Sequence, residues 1–279
     1  MIAFDFAYSR PNTPSEAVAL YETAAAQGQH ALYYAGGTEI ITFSRMGQMA
    51  ADAIIDIKDL PECQVLGIDG EEIVIGAAVT LNQLADSDIF PLFGQTAQAI
   101  ADRTARNKIT VGGNVGSRRL MYREMALPFL LCDSKVKLFG PQGARLLPFT
   151  DVFHHALNLK PGELITQFYI PRSFVANTFV HLKKTKQSSV NYPLVTVLAL
   201  EDGDRIRMAF SGVCAFPFRD ERLEELVSNR ARPLCERVKQ VIEQFPHEVL
   251  HDLEGSEDYR KFVLQLTLEE ILKQMGWAV

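Results

Sequence analysis

The sequence predicts an α+β chain in two parts, divided near Pro171-Arg172. Hairpin signals and capped-helix signals are interleaved through the first ~170 residues, the pattern of a mixed α+β or α/β domain. Beyond Arg172, three β-type runs precede three helical ones. That order fits a small α+β domain, a three-stranded sheet covered by helices on one face. The first part also holds two glycine-pair segments after apolar stretches, Tyr34-Ala35-Gly36-Gly37-Thr38-Glu39-Ile40 and Ile109-Thr110-Val111-Gly112-Gly113-Asn114.

The elements follow in order. Thr13-Pro14-Ser15-Glu16 is a capping-box start with proline at the first helical position, and Gly28 stops the alanine-rich helix that follows. Ala31 to Tyr34 reads as a short strand entering the first glycine segment, and Ala53 to Ile57 as another strand. Asp69-Gly70 between Gln64–Ile68 and Glu72–Val79 is a hairpin signal. Thr80 with Gln83 starts a further helix, and Pro91 to Asp102 another. Lys135–Phe139 and Ala144–Leu147 flank a Gly-Pro-Gln-Gly turn, a second hairpin. Past Arg172 come strands at Thr178–Lys184, Leu194–Leu200 and Arg205–Val213, then helices at Asp220–Ser228, Pro233–Gln244 and Glu257–Met275.

Bulk properties narrow the function. At 279 residues the chain exceeds one small core and accommodates two domains, here 1–172 and 173–279. A net charge of −6 disfavours nucleic acid and anionic membranes as partners. No apolar run reaches the ~20 residues that span a bilayer, and the N-terminus lacks the pattern of a signal peptide, so the expected compartment is the cytoplasm. Cys63, Cys132, Cys214 and Cys235 are scattered, without Cys-x-x-Cys or iron–sulfur spacing.

The glycine segments carry the chemistry. Side-chain-free backbone lets a ligand approach closely, and successive N–H groups in such a turn form a concave nest for anions. Alone, each reads as a tight turn; as a pair, with hydroxyls at Thr38 and Thr110, they suit two loops gripping one diphosphate. Neither Gly-x-Gly-x-x-Gly nor Gly-x-x-x-x-Gly-Lys-Ser/Thr occurs, which argues against a Rossmann site and a P-loop.

These segments resemble the FAD-binding subunits of the molybdenum hydroxylases, the family of xanthine and carbon monoxide dehydrogenases. The likeness rests on Ala35–Thr38, on Arg106-Asn107 followed by Thr110–Asn114, on Gly76–Thr80, on Gly162–Ile165 leading to Ile170-Pro171, and on Asp252–Arg260. It runs nearly the whole chain in unchanged order. It implies a two-part FAD-binding domain of the vanillyl-alcohol-oxidase/PCMH type followed by a small α+β C-terminal domain. It also implies that Ala35, Gly36, Gly37, Thr38, Glu39, Ile40, Thr110, Gly112, Gly113 and Asn114 form the FAD cradle. Ile165 and Lys183 match family positions near the flavin ring. Where the family commonly has a proline and then an aspartate on the adenosine side, this chain has Val115 to Glu124 without either, and Glu124 is the nearest carboxylate. Arg118, Arg119 and Arg123 there suit phosphate, solvent or a partner subunit alike. The implied partners are a molybdopterin-binding large subunit and a [2Fe-2S] small subunit, with electrons passing through FAD to NAD or another acceptor.

Competing readings remain at this level. His247-Glu248-Val249-Leu250-His251 is a literal zinc-protease motif, yet Pro246 before it and the turn formers Asp252–Ser256 after it predict a loop rather than a helix. His154-His155 follows Phe153 at an expected helix start and reads as a surface pair. Lys183, beside Lys184 and Lys186, also suits a solvated strand. A stand-alone FAD-dependent oxidoreductase of the same fold is the alternative function, and a cofactor-less scaffold a further one.

Overall fold

The computed structural model describes residues 4–117, 119–188 and 190–278. In chain order its helices are α1 (Pro14–Ala26), α2 (Thr38–Arg45), α3 (Pro61–Gln64), α4 (Leu81–Asp86), α5 (Pro91–Gln98), α6 (Arg103–Arg106), α7 (Val111–Gly116), α8 (Ala126–Leu131), α9 (Phe149–Val152), α10 (Glu221–Ser228), α11 (Leu234–Glu243) and α12 (Glu257–Gln274). The strands are β1 (Ala7–Ser9), β2 (Ala31–Tyr34), β3 (Ala53–Asp56), β4 (Leu66–Asp69), β5 (Glu72–Gly76), β6 (Lys135–Gly140), β7 (Gly143–Pro148), β8 (Leu164–Pro171), β9 (Phe179–Thr185), β10 (Pro193–Asp202), β11 (Arg205–Ser211) and β12 (Phe218–Arg219).

The chain forms two compact units. The first comprises Met1–Ile89, Asp102–Ser117 and Asp133–Arg172; the second comprises Phe90–Ala101, Arg118–Cys132 and Ser173–Val279. The chain crosses at Arg172, where the sequence places its boundary, and also makes two earlier excursions into the second unit, 90–101 and 118–132. No Pro/Gly-rich linker marks those excursions in the sequence.

The first unit contains two sheets. β1, β3 and β2 form a parallel sheet in that order, and β4-β5-β8-β6-β7 an antiparallel one. Local signals set much of it. The Thr13 hydroxyl accepts from Glu16 N–H, but the Glu16 carboxylate accepts from Asn12 rather than from Thr13, so the predicted capping box is displaced by one residue. At α4 the box is complete, with Thr80 and Gln83 each capping the other. The β4–β5 hairpin turns at Asp69-Gly70, Gly70 having φ +56°. Ala17, Val18, Ile55, Leu60 and Leu164 centre one core of this unit.

The second unit is built on the antiparallel sheet β12-β11-β10-β9. Four strands replace the three expected, because Phe218-Arg219 pairs with Ala209-Phe210; two residues are too few to register as a strand in sequence periodicity. The three expected helices are α10, α11 and α12. They bury Leu223, Val238, Leu264 and Ile271 together with Val197, Met208 and Phe210 of the sheet. α5 and α8 pack together through a T-shaped Phe93–Phe129 pair, centroids 4.9 Å apart. Arg207 and Arg219 donate to the carbonyls of Leu131 and Leu130, holding α8 to β11 and β12.

Candidate functional site

The first glycine segment is the turn between β2 and α2. Two contacts force glycine here. A β-carbon on Gly36 would lie 1.8 Å from the Lys108 carbonyl oxygen, and one on Gly37 2.2 Å from the Tyr34 ring. Gly37 also has φ +68°, a left-handed conformation that caps α2. Among the described residues, nothing accepts from the backbone N–H groups of Gly36, Gly37, Thr38, Glu39 or Ile40. Thr38 begins α2, so these five donors run through the turn into the positive end of an eight-residue helix. The glycine pair predicts a nest confined to a loop; here the helix supplies part of it.

Tyr34 and its neighbours brace the turn. The Lys58 ammonium lies 4.4 Å from the Tyr34 ring centroid. It also bonds the Asp56 carboxylate, which accepts from the Tyr8 hydroxyl at 2.6 Å. Burial would raise the Asp56 pKa, but the bonds from Lys58 and Tyr8 outweigh it and hold the carboxyl below its ordinary value. Thus Gly37 rests on a ring that carries a cation. Lys58, Asp56 and Lys108 lay outside the sequence reading, because only tertiary packing brings them to the turn.

The second glycine segment differs in kind. It is not an open turn but α7, capped by the Thr110 hydroxyl, which accepts from Gly113 N–H at 3.1 Å. Val111 and Gly112 donate to the carbonyls of Val79 and Ala77, each at 2.9 Å, and Asn114 donates to the Thr110 carbonyl. All four N–H groups are therefore engaged within the protein, and donation from Gly112 and Gly113 to an anion is not what this segment offers. Gly112 is required by packing, since its β-carbon would come 2.7 Å from that of Ala77. At its end, the Ser117 hydroxyl donates to the Glu39 carboxylate, linking it to the first segment.

Ile165 reaches α7 through an irregularity. Between β6 and β8 the register shifts, Lys137 pairing with Gln167 but Leu138 with Ile165. The extra residue, Thr166, donates its hydroxyl to the Lys137 carbonyl and accepts from Ala77 N–H. Such a bulge re-aims the neighbouring side chain. The Ile165 δ-methyl ends 3.4 Å from where a Gly116 β-carbon would sit.

Glu124 and Lys183 lie together in the second unit. Lys183 Nζ is 3.0 Å from Glu124 Oε2 and 2.8 Å from the Ala99 carbonyl oxygen. Thr196 Oγ1 donates to Glu124 Oε1 at 2.9 Å. The two charged side chains are only 8% and 5% exposed, so the solvated-strand reading of Lys183 is excluded. Burial pushes the Glu124 carboxyl up, against the lowering pull of Lys183. His181, two residues before Lys183, has a buried Nε2 without a partner among the described residues, and burial pushes its pKa down to about 4.

The other motifs resolve structurally. Residues 247–251 are not helical, so the two histidines share no helix face; His247 instead meets the rings of Phe216 and Phe218 edge-on. Among the described residues no cluster of His, Cys, Asp or Glu is arranged to hold a metal. His154-His155 is exposed in a bend after α9, not at a helix start, because the backbone has already turned extended at Phe153. Arg118 lies outside the described residues. No helix among the described residues is long and apolar enough to cross a membrane.

Residues 4–173 match the family model described as the FAD binding domain in molybdopterin dehydrogenase. The chain belongs to that family. It is 26% identical over 295 residues to a xanthine dehydrogenase FAD-binding subunit of Escherichia coli O157:H7, covering 97% of this chain and 96% of the relative. It is 30% identical over 177 residues to the carbon monoxide dehydrogenase medium chain of Afipia carboxidovorans, a match spanning 61% of this chain and 60% of that one. Its fold matches a chain of reconstituted CO dehydrogenase from Oligotropha carboxidovorans with a TM-score of 0.85 over 100% of both chains, at 23% identity. The chain is thus an oxidoreductase flavoprotein whose cofactor is FAD.

The first unit fits that cofactor. FAD carries a doubly charged pyrophosphate, and the Gly36–Ile40 segment presents five adjacent N–H donors on a backbone with no room for a side chain at Gly36 or Gly37. A helix start preceded by a left-handed glycine is an arrangement that holds phosphate without cationic side chains.

Proposed function

We propose that this chain is the electron-transfer subunit of a molybdenum hydroxylase. A separate molybdopterin subunit oxidises the substrate, a [2Fe-2S] subunit relays the electrons, and NAD or another acceptor takes them from this chain. Its relatives are named as a medium chain and as an FAD-binding subunit, which supports a place within an assembly. Its cysteines are scattered, three buried and Cys235 exposed, which supports cluster ligands on another polypeptide. When bound, FAD supplies the conversion between one-electron and hydride transfer.

The observation that carries this reading is the row of N–H donors from Gly36 to Ile40. These groups hold the pyrophosphate, the Thr38 hydroxyl adds a further donor, and the Glu39–Ser117 bond fixes the segment. Gly36 packs on Lys108 and Ile109, which lead into Thr110, Gly112, Gly113 and Asn114, and the N–H groups of Gly112, Gly113 and Asn114 are engaged internally. Ile165 keeps an apolar, water-excluding surface beside that segment. Glu124 and Lys183 act through the chain segments they tie rather than as donors to phosphate.

Flavin titration tests the cofactor role. The purified chain should take up about one equivalent of FAD and bind FMN, which lacks the pyrophosphate, at least ~10-fold more weakly. Colourless protein that ignores FAD would overturn the reading. Co-expression with candidate molybdopterin and iron–sulfur subunits should then yield one co-purifying complex whose flavin is reduced by NADH under anaerobic conditions; a flavin indifferent to both NADH and the partner clusters would sink the relay.

A further inference from the structure

We propose that the Tyr34 hydroxyl is a further phosphate-binding group, donating to the same diphosphate as the N–H row from Gly36 to Ile40. This role rests on the FAD reading and extends it to a side chain. Tyr34 ends β2, just before the first glycine segment, and all the residues concerned lie in the first unit. A β-carbon on Gly37 would lie 2.2 Å from Cε2 of Tyr34, 2.3 Å from Cζ and 2.3 Å from the hydroxyl oxygen. The hydroxyl end of the ring, not its stem, therefore meets the left-handed residue that is second in the donor row.

That hydroxyl has a proton to give. Among the described residues it makes no hydrogen bond, whereas the hydroxyl of its neighbour Tyr33 donates to the Gly162 carbonyl at 2.8 Å. Tyr34 is half-buried, and a phenol that has lost part of its water gains most from an ionised acceptor. Burial and, after it, the Asp56 charge raise the Tyr34 pKa, so the group keeps its proton at neutral pH. The ring is also held in place. The Lys58 ammonium lies over it, 4.4 Å from the centroid. Asp56, opposite Tyr34 in the β2–β3 register, bonds that ammonium and accepts from the Tyr8 hydroxyl at 2.6 Å. Lys58 thereby offsets a carboxylate charge that would otherwise repel an anion at the turn.

Two hydroxyl deletions test this role. Tyr34→Phe keeps the ring against Gly37 and removes only the donor, while Tyr33→Phe removes a hydroxyl already used inside the protein. FAD affinity by flavin fluorescence, melting of the FAD-free chain and phosphorus NMR of bound FAD are measured on both. Tyr34→Phe should weaken FAD binding about tenfold, the effect of one neutral donor on a charged acceptor, with the FAD-free melting temperature unchanged. One phosphorus resonance of bound FAD should move while the visible flavin bands stay in place. Tyr33→Phe should do the reverse, lowering the melting temperature and leaving affinity within about twofold of the parent's. Unchanged affinity in Tyr34→Phe, with a parent that binds FAD, overturns the role and leaves the cofactor reading standing. Parallel losses of melting temperature and affinity in both variants would make the hydroxyl structural and overturn it as well. A parent that takes up no FAD fails the cofactor reading itself, and this role with it.

Discussion

Gly36 packs so tightly on Lys108 that a single added methyl group would come within 1.8 Å of the Lys108 carbonyl oxygen. The two residues are far apart in sequence, yet this contact seats the N–H row of the first segment against the chain that leads into α7.

Gly36→Ala should therefore push the turn off its neighbour. The expected cost is about 2–4 kcal/mol of stability, with FAD binding lost, because a backbone carbonyl cannot move aside as a flexible side chain does. Gly67→Ala is the control, as its added carbon meets nothing within 4 Å. Melting curves and flavin fluorescence on both variants check this; an alanine at Gly36 that keeps its flavin would refute the packing argument.

Thr110 ties the start of α7 by accepting from Gly113 N–H. Thr110→Val should cost about 1 kcal/mol, the usual worth of a cap, and weaken FAD retention, whereas Thr110→Ser should leave both near the parent values. Urea unfolding and FAD dissociation kinetics measure the pair. Equal behaviour of valine and serine would mean that the cap does not matter.

His181 gives a pH signature. Its folded pKa of about 4 lies below the ordinary imidazole value of 6.5, so the unfolded chain binds the proton more readily. Stability from the neutral ring is complete above pH 6.5 and is lost as pH falls toward about 4. Between pH 7 and pH 5 the parent should lose about 2 kcal/mol that His181→Leu does not lose. Parallel urea melts at the two pH values decide it, and identical losses in both proteins would rule out His181 as the source.

Much of the fold was legible locally. Thr80-Gln83 wrote its capping box, Asp69-Gly70 its hairpin, and the runs around Val197 and Phe210 their strands, because each depends on neighbours in sequence. α2 and α7 were not legible. Glycine pairs have low helix propensity, and only packing against Tyr34, Lys108 and Ala77 selects helix starts there. β12 was missed for its brevity, and His154-His155 was set on a helix that ends one residue before Phe153.

The sequence by itself determined the family, that of FAD-binding subunits, through short motifs that run along the chain in unchanged order. Spacing and residue type are one-dimensional properties and survive without coordinates. Tertiary structure alone decided which segment still has donors to give. Hydrogen bonds from Val111 and Gly112 to Val79 and Ala77 silence the second, while the left-handed Gly37 leaves the first open. It also decided that Lys183 is a buried tie instead of a solvated strand lysine, since its partners Ala99 and Glu124 lie 84 and 59 residues away. Partner choice over such separations follows from how the chain folds back on itself, which local sequence does not encode.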